Sequence, residues 1–437
     1  MQFPKSDICL FHIITVLSSV ACSESSIHIS IATAVPDAAS SITILSRFER
    51  QDGKTLSITR DTRLFSVDPP QGQEGWLSIT ARPTDDKCRY GSGSLQQRFS
   101  GMSSEEFEAT LSIIQYPTPI NSCTIDNWCS VDDLPTGLQL TSITGYDRAD
   151  ILTVGQKGIA FHFNGIRWVS VPTEPELDLQ SVWARGRNDI WAVFKTTASG
   201  MDDGGVIHFN GTAWDKKEYK GDPLLGIWGS PNGEAWAVGN NGSIWRFNGN
   251  SWHRTPWRTD ASLTKVHGST SDDVWMVGAL IDAKGLPTSG HIIHWDGNRL
   301  NEFPNNATAY LLSIWVYSRN SAYVGGENGA LLTWNGIKWN PMSPPPMQPG
   351  DIQFTSLWGS DPDSLWLTSF SKQGKWTRID YWDGSTWTKQ QESADPIDCY
   401  WRSLWGIGRH EVWAVGEAAN APAKPGAYVY LPLSISK

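Results

Sequence analysis

Charge is scarce in this chain. Lys, Arg, Asp and Glu make up 18% of its 437 residues, and the balance is acidic, −10 at pH 7. A nucleic-acid partner needs a basic footprint, so that class is excluded, and a mildly acidic, soluble surface follows. Catalytic signatures are missing as well: there is no Gly-x-Ser-x-Gly elbow, no phosphate loop and no His-Glu-x-x-His pair. Cysteine is sparse, six in all, and no Cys/His spacing has the form of a zinc site. Neither a metal nor a cofactor is expected. The apolar stretch Ile8 to Val20 is too short and too polar for a spanning helix.

That stretch suits the core of a signal peptide covering residues 1–21. It ends on Ser19-Val20-Ala21-Cys22, followed by the polar run Ser23-Glu24-Ser25-Ser26. Three fates fit. Ser19 and Ala21 suit ordinary cleavage. The same residues resemble the lipobox of bacterial lipoproteins, with Cys22 as the lipidated residue and residues 22–26 as its tether, although Ser19 stands where Leu is usual. The weakly basic start also leaves room for no export. The expected location is the cell envelope, as an outer-membrane lipoprotein, or the extracellular space, with any membrane contact made through the lipid alone. Of the remaining cysteines, Cys123 and Cys129 are the natural disulfide pair, separated by five residues in a polar segment. Cys88 and Cys399 could pair or stay as buried thiols.

Tryptophan is plentiful: 24 residues, a density that demands regular burial. From Ile27 to about Ile114 apolar residues alternate at period two, as in Ile27-His28-Ile29-Ser30-Ile31, Leu56-Ser57-Ile58, Trp76-Leu77-Ser78-Ile79 and Phe107 to Leu111. Short strands over residues 27–116 predict a small immunoglobulin-like β-sandwich. Tyr116-Pro117-Thr118-Pro119 then opens a stiff linker over 117–127, which contains Cys123.

Beyond Leu138 the chain repeats. An Ile-Trp-Gly strand recurs at Trp183, Trp228, His267, Trp315, Trp358 and Trp405, with Ile143 marking it in the first repeat. A Trp-Ala-Val-Gly strand follows, at Trp191, Trp236, Trp275, Tyr323, Trp366 and Trp413. Hairpins carry Asn164-Gly165, Asn210-Gly211, Asn248-Gly249, Asp296-Gly297, Asn335-Gly336 and Asp383-Gly384, read as type I′ turns with two positive-φ residues. Trp168, Trp214, Trp252, Trp339 and Trp387 open the next strand, with Leu300 near that place in the fourth repeat. Trp183 and Trp228 are 45 residues apart, the length of four short strands and of one propeller blade. The fold class is therefore all-β, with a seven-bladed β-propeller over 128–437 behind the sandwich. The last repeat ends on its third strand, Tyr428 to Leu431. Residues 128–134 match a fourth strand, so the ring is expected to close there and hide an open edge.

Ser271-Asp272-Asp273-Val274-Trp275-Met276-Val277-Gly278 and Trp382-Asp383-Gly384-Ser385-Thr386-Trp387 resemble the Trp-rich propeller repeats of secreted bacterial lipoproteins. The likeness spans about residues 121–437. It implies the fold and says almost nothing about activity. The repeat is more distantly similar to photosystem assembly-factor propellers and to the Asp-box propellers of sialidases, although Asp and Gly are adjacent here, unlike in an Asp-box.

Recurring residues serve the blade. The repeated Trp residues are expected between blades. His162, His208 and His294 share their place with Arg246, Thr333 and Tyr381, which marks a tolerant strand position and not a metal set. Met201-Asp202-Asp203-Gly204 reads as a solvated turn. Recognition is expected on variable loops joining second to third strands, at 195–205, 279–290, 369–377 and 417–426, with the connections between blades. The candidates are Asp202, Asp203, Lys284, Lys375, Trp376 and Asn420, with Tyr219 and Trp257 from the connections. Trp376 matches no repeat position and is weighed both as an exposed anchor and as a side chain folded onto its blade. The expected function is that of a monomeric, non-enzymatic binder of a protein or glycan. A sialidase-like glycoside hydrolase and an envelope assembly factor are the alternatives.

Overall fold

β-branched and aromatic segments form strands throughout, and the chain divides into two compact units, Met1–Cys129 with Pro432–Lys437, and Ser130–Leu431. A computed structural model describes residues 27–130 through the backbone of their strands alone, and most of residues 139–430 in full. Residues 148–149, 164–167, 172, 197–202, 259, 348–350, 372–375, 394–399, 409–410 and 418–426 lie outside the described residues.

In the first unit, Lys54–Thr59, Ser41–Phe48, Gly75–Thr84, Arg89–Phe99 and Ile114–Ile120 form one antiparallel sheet in that order, while Ile27–Ser30 pairs with Leu64–Val67. A sandwich needs two facing sheets, and the described strands supply this sheet and the two-stranded ladder. The predicted strand at Phe107 to Leu111 lies outside the described residues. The predicted linker at Tyr116 to Pro119 is instead part of Ile114–Ile120, the edge strand of its sheet. Proline cannot donate to a ladder, but it favours extended backbone and is tolerated on an edge.

In the second unit six sheets are blades of four consecutive antiparallel strands. Their first strands are Leu140–Asp147, Leu177–Gly186, Leu224–Gly229, Ala261–Thr270, Leu311–Ser318 and Ile352–Asp361. Six complete blades thus stand where seven were expected. The last sheet has three consecutive strands, Tyr400–Gly406, Val412–Glu417 and Ala427–Tyr430, and its strand order ends on Trp128–Ser130. The rest of the expected closing segment, residues 131–134, lies outside the described residues.

Aromatic residues join several neighbouring blades. Trp191 on the second strand of blade two meets Phe247 and Trp252 of blade three at ring centroid distances of 5.0 and 5.7 Å. Trp236 meets Trp295 at 5.3 Å, and Trp275 meets Trp334 and Trp339 at 4.8 and 5.2 Å. Trp413 of the last sheet meets Phe163 of blade one at 5.4 Å. These tilted and edge-on contacts are what the Trp content builds.

The hairpin turns differ from the type I′ expectation. Only the glycines take positive φ, between 87° and 96° at Gly211, Gly249, Gly297, Gly336 and Gly384. The residue before each glycine stays at negative φ and caps the turn with its side chain. Asn210 Oδ1 accepts from the Thr212 and Ala213 amides at 3.0 and 3.1 Å, and Asp383 Oδ1 accepts from the Ser385 and Thr386 amides at 2.9 and 2.7 Å. Asn and Asp interchange here because both supply that oxygen.

Candidate functional site

The recurring polar residues are consumed inside their own blades. Asp189 and Asp273 each open a second strand. Asp189 Oδ1 accepts from Trp191 Nε1 at 2.7 Å and bonds His208 Nε2 at 2.8 Å; Asp273 Oδ1 accepts from Trp275 Nε1 at 3.2 Å and bonds His294 Nε2 at 2.7 Å. The His208 ring stacks on Trp191 at 3.9 Å and the His294 ring on Trp275 at 4.1 Å. Burial alone would raise the Asp273 carboxyl, but the bonds from His294, Ser269 and Trp275 together hold it below the ordinary carboxylate value. His162 pairs likewise with Asp150. Where blade three has Arg246, its partner is Glu234, and its guanidinium lies 5.3 and 4.7 Å from the Trp236 and Trp295 ring centroids. Tyr381 donates to Ser364 Oγ at 3.2 Å. The tolerant position is therefore one end of a cross-strand polar pair, and its identity follows that of its partner.

Second-to-third-strand loops and the connections between blades share one face. Asp203 Oδ1 accepts from the Gly221 amide at 2.8 Å, and Trp257 Nε1 donates to His291 Nε2 at 3.3 Å, each bond joining such a loop or its strand to such a connection. The loops are shorter than expected because pairing continues into them. In blade four Asp273–Ile281 and Pro287–Trp295 leave a turn at Asp282 to Leu286, and in blade six Ser364–Ser371 and Trp376–Trp382 leave residues 372–375.

This placement separates the sequence candidates. Lys284 is exposed at the tip of the blade-four hairpin, next to Leu286, which is 58% exposed. The Asp203 carboxylate is already engaged, accepting from the Gly221 amide of the connection that follows blade two. Tyr219 stacks on Trp245 at 3.8 Å, and burial pushes its hydroxyl up to about 12. Trp257 is half-buried against His291. Trp376 is not an exposed anchor. It is 9% exposed and pairs with Ser371, because the strand reaches further than the repeat pattern implies. Asp202, Lys375, Asn420, Cys22 and Cys123 lie outside the described residues, as does the Cys129 side chain, so the proposed lipid site and disulfide do too.

A concave site lies elsewhere, in the central channel, which encloses about 260 Å³. Seven first strands wall it, those of the six blades and of the last sheet. Serine hydroxyls tie neighbouring strands: the Val182 amide donates to Ser142 Oγ at 3.3 Å, Leu404 to Ser356 at 3.0 Å and Ile143 to Ser403 at 3.3 Å. Trp183, Trp228, Trp315, Trp358 and Trp405 form a ring of indoles, with Thr144 and His267 at the same level. A Cβ on Gly229 would stand 2.5 Å from Trp183, on Gly268 2.7 Å from Trp228, on Gly406 2.9 Å from Trp358 and on Gly145 2.4 Å from Trp405. Each indole lies on the glycine of the following strand, which is why Gly follows Trp in the repeat. The two exceptions agree. After Thr144 the next blade carries Ala184, and after His267 it carries Val316, whose amide donates to His267 Nδ1 at 3.2 Å.

The channel has a second departure from the repeat. Ser142, Ser181, Gly226, Ser313, Ser356 and Ser403 occupy one level of the ring, and blade four places Lys265 there. Lys265 and His267 are the two titratable side chains among the described residues lining the channel, and no carboxylate lines it among those residues. Burial lowers Lys265 to about 8 and His267 to about 3. Aligning the seven repeats column by column would have found Lys265.

No family model and no curated protein matches the chain. Solved structures do. YCF48 bound to D1 peptide superposes with a TM-score of 0.53 at 15% identity, covering 70% of this chain and 96% of that one. The chain is a β-propeller. YCF48 from Cyanidioschyzon merolae gives 0.52 at 13% identity, over 70% and 99% of the two chains. U3-55K gives 0.56 at 10% identity, over 71% and 100%. At these identities the likeness is one of fold, and the propeller's own residues must carry any statement about its site.

Proposed function

We propose that the chain is an exported, non-enzymatic binding protein whose propeller holds a protein or peptide partner on the face carrying the second-to-third-strand hairpins. One observation carries this reading. Polar residues at repeated positions are tied into cross-strand pairs such as Asp273–His294 and Asp189–His208, while the blade-four hairpin breaks the repeat and exposes Lys284 and Leu286. Non-repeating elements on a rigid ring are where recognition is built. A structural neighbour solved with a bound peptide supports the same use of the fold. In this reading the ring has seven blades, the last completed by Trp128–Ser130. Cys22 carries lipid, the disulfide joins Cys123 to Cys129, and the first unit is a small immunoglobulin-like spacer. Mass spectrometry of the membrane fraction tests the anchor: a mature protein with a free Cys22 thiol rules it out.

The test of binding is a peptide selection on the full chain, followed by affinity measurement on a variant in which Asp282 to Leu286 is replaced by a two-residue turn. The expected result is a loss of roughly ten-fold or more, the share a central contact carries. Unchanged affinity removes the hairpin face from the account.

A further inference from the structure

We infer that the central channel is a binding site for a single organic carboxylate, with the Lys265 ammonium as its counterion and the indole ring as the wall for its apolar body. This site is separate from the hairpin face and does not depend on it. At this level of the channel the other strands carry serine or glycine, small residues that let the first strands approach; a Cβ on Gly226 would stand 3.0 Å from Lys265 Cα. A lysine here serves no described contact. Its ammonium has no ion pair or hydrogen bond among the described residues, and burial is the single cause of its lowered pKa. A half-buried amine without a counterion costs stability. A blade could remove that cost by using the serine found elsewhere.

Two residues on, His267 replaces the ring tryptophan, so both departures fall on one face of one strand. Its Nδ1 accepts from the Val316 amide, which leaves the proton of the neutral ring on Nε2. That N–H has no described partner. One ammonium and one imidazole N–H on the same strand offer a donor for each oxygen of a carboxylate. The charge count selects the ligand class: a phosphate dianion would leave one charge uncompensated in an indole-lined cavity, whereas a carboxylate is balanced by Lys265 alone. The volume of about 260 Å³ suits a small organic acid or the last residues of a peptide chain.

The experiment uses the full chain and four probes: benzoate, indole-3-acetate, and a short peptide with an aromatic C-terminal residue as free acid and as C-terminal amide. Tryptophan fluorescence is titrated in wild type, Lys265→Met and Lys265→Arg. At least one acid is expected to saturate the wild type at one site. Lys265→Met should weaken it by roughly ten-fold or more, the scale of one charge-assisted hydrogen bond, while Lys265→Arg retains it and the amide fails. Affinity should fall as pH rises through about 8, where Lys265 loses its proton. His267 is neutral throughout that range, and Asp273, the carboxylate acting on it, stays ionised. Binding by benzoate or indole-3-acetate alone identifies a free acid as the source; binding by the acid peptide identifies a chain terminus. The inference is overturned if no acid saturates the wild type, or if folded Lys265→Met binds as tightly. The hairpin-shortened variant should bind the acids unchanged, which keeps this result distinct from that of the partner face.

Discussion

Gly229→Ala should destabilise the propeller, and Trp183→Thr should rescue it. The added methyl would stand 2.5 Å from Cη2 and Cζ3 of Trp183 and 2.7 Å from Cζ2, three atoms of one rigid ring. Carbon atoms prefer about 3.5–4.0 Å, so the indole must move by roughly 1 Å. Overpacking of this kind costs about 1–3 kcal/mol, and stiffening of the unfolded chain returns about 0.4–1 kcal/mol. Gly229 does not have a positive φ, so no backbone strain adds to this. The net loss is then about 1–2 kcal/mol, or roughly 2–3 °C in Tm for a unit of about 300 residues. Blades one and two already show the alternative pairing, Thr144 beside Ala184. Trp183→Thr alone loses aromatic packing, but in the double variant the Gly229→Ala cost should vanish, a coupling of about 1–2 kcal/mol. Denaturant melts of the four proteins followed by near-UV circular dichroism measure it. Additivity within about 0.5 kcal/mol would refute the claim that indole and glycine are matched across blades.

Asp273→Ala should cost roughly 2–4 kcal/mol, because it strips the partner from Trp275 Nε1 and His294 Nε2, while Asp273→Asn keeps an acceptor and should cost less in the same melts. His267 should tilt the acid limb of stability: between pH 6.5 and about 3 the unfolded state takes a proton that the half-buried ring refuses, so stability falls as pH falls, and His267→Gln should flatten that slope. Lys265 acts at the alkaline end. Between about pH 8 and 10.5 the unfolded state holds the proton the folded state has lost, so wild-type stability rises with pH there; Lys265→Met should melt higher than wild type at pH 7, with the gain shrinking by pH 10.5.

Much of the ring was legible because it is written seven times. The 45-residue step from Trp183 to Trp228 and the recurring Asn-Gly pairs needed no single residue to be interpreted correctly. Individual chemistry was harder. Asn210 and Asp383 were credited with their own positive φ, when their side-chain oxygens cap the turn and only the glycine bends. Trp376 fell outside the repeat, which left both an exposed anchor and a side chain folded onto its blade open; pairing with Ser371 carries the sheet past the repeated positions and buries it. The polar candidates were judged by residue type, and type does not say whether a carboxylate such as Asp203 already has a partner. Lys265 was passed over for a different reason. A lysine two residues before a histidine has no motif, and its meaning lies in the serines that occupy its place in neighbouring blades.

Hydrogen exchange on the full chain, with and without a peptide selected to bind it, bears most directly on the central claim that the ring is scaffold and its non-repeating hairpins are the recognition surface. The account predicts protection at the second-to-third-strand hairpins, foremost residues 279–290, with little change at the capped outer turns 210–213 and 296–299. Protection confined to those outer turns, with the hairpins unaffected, would contradict it.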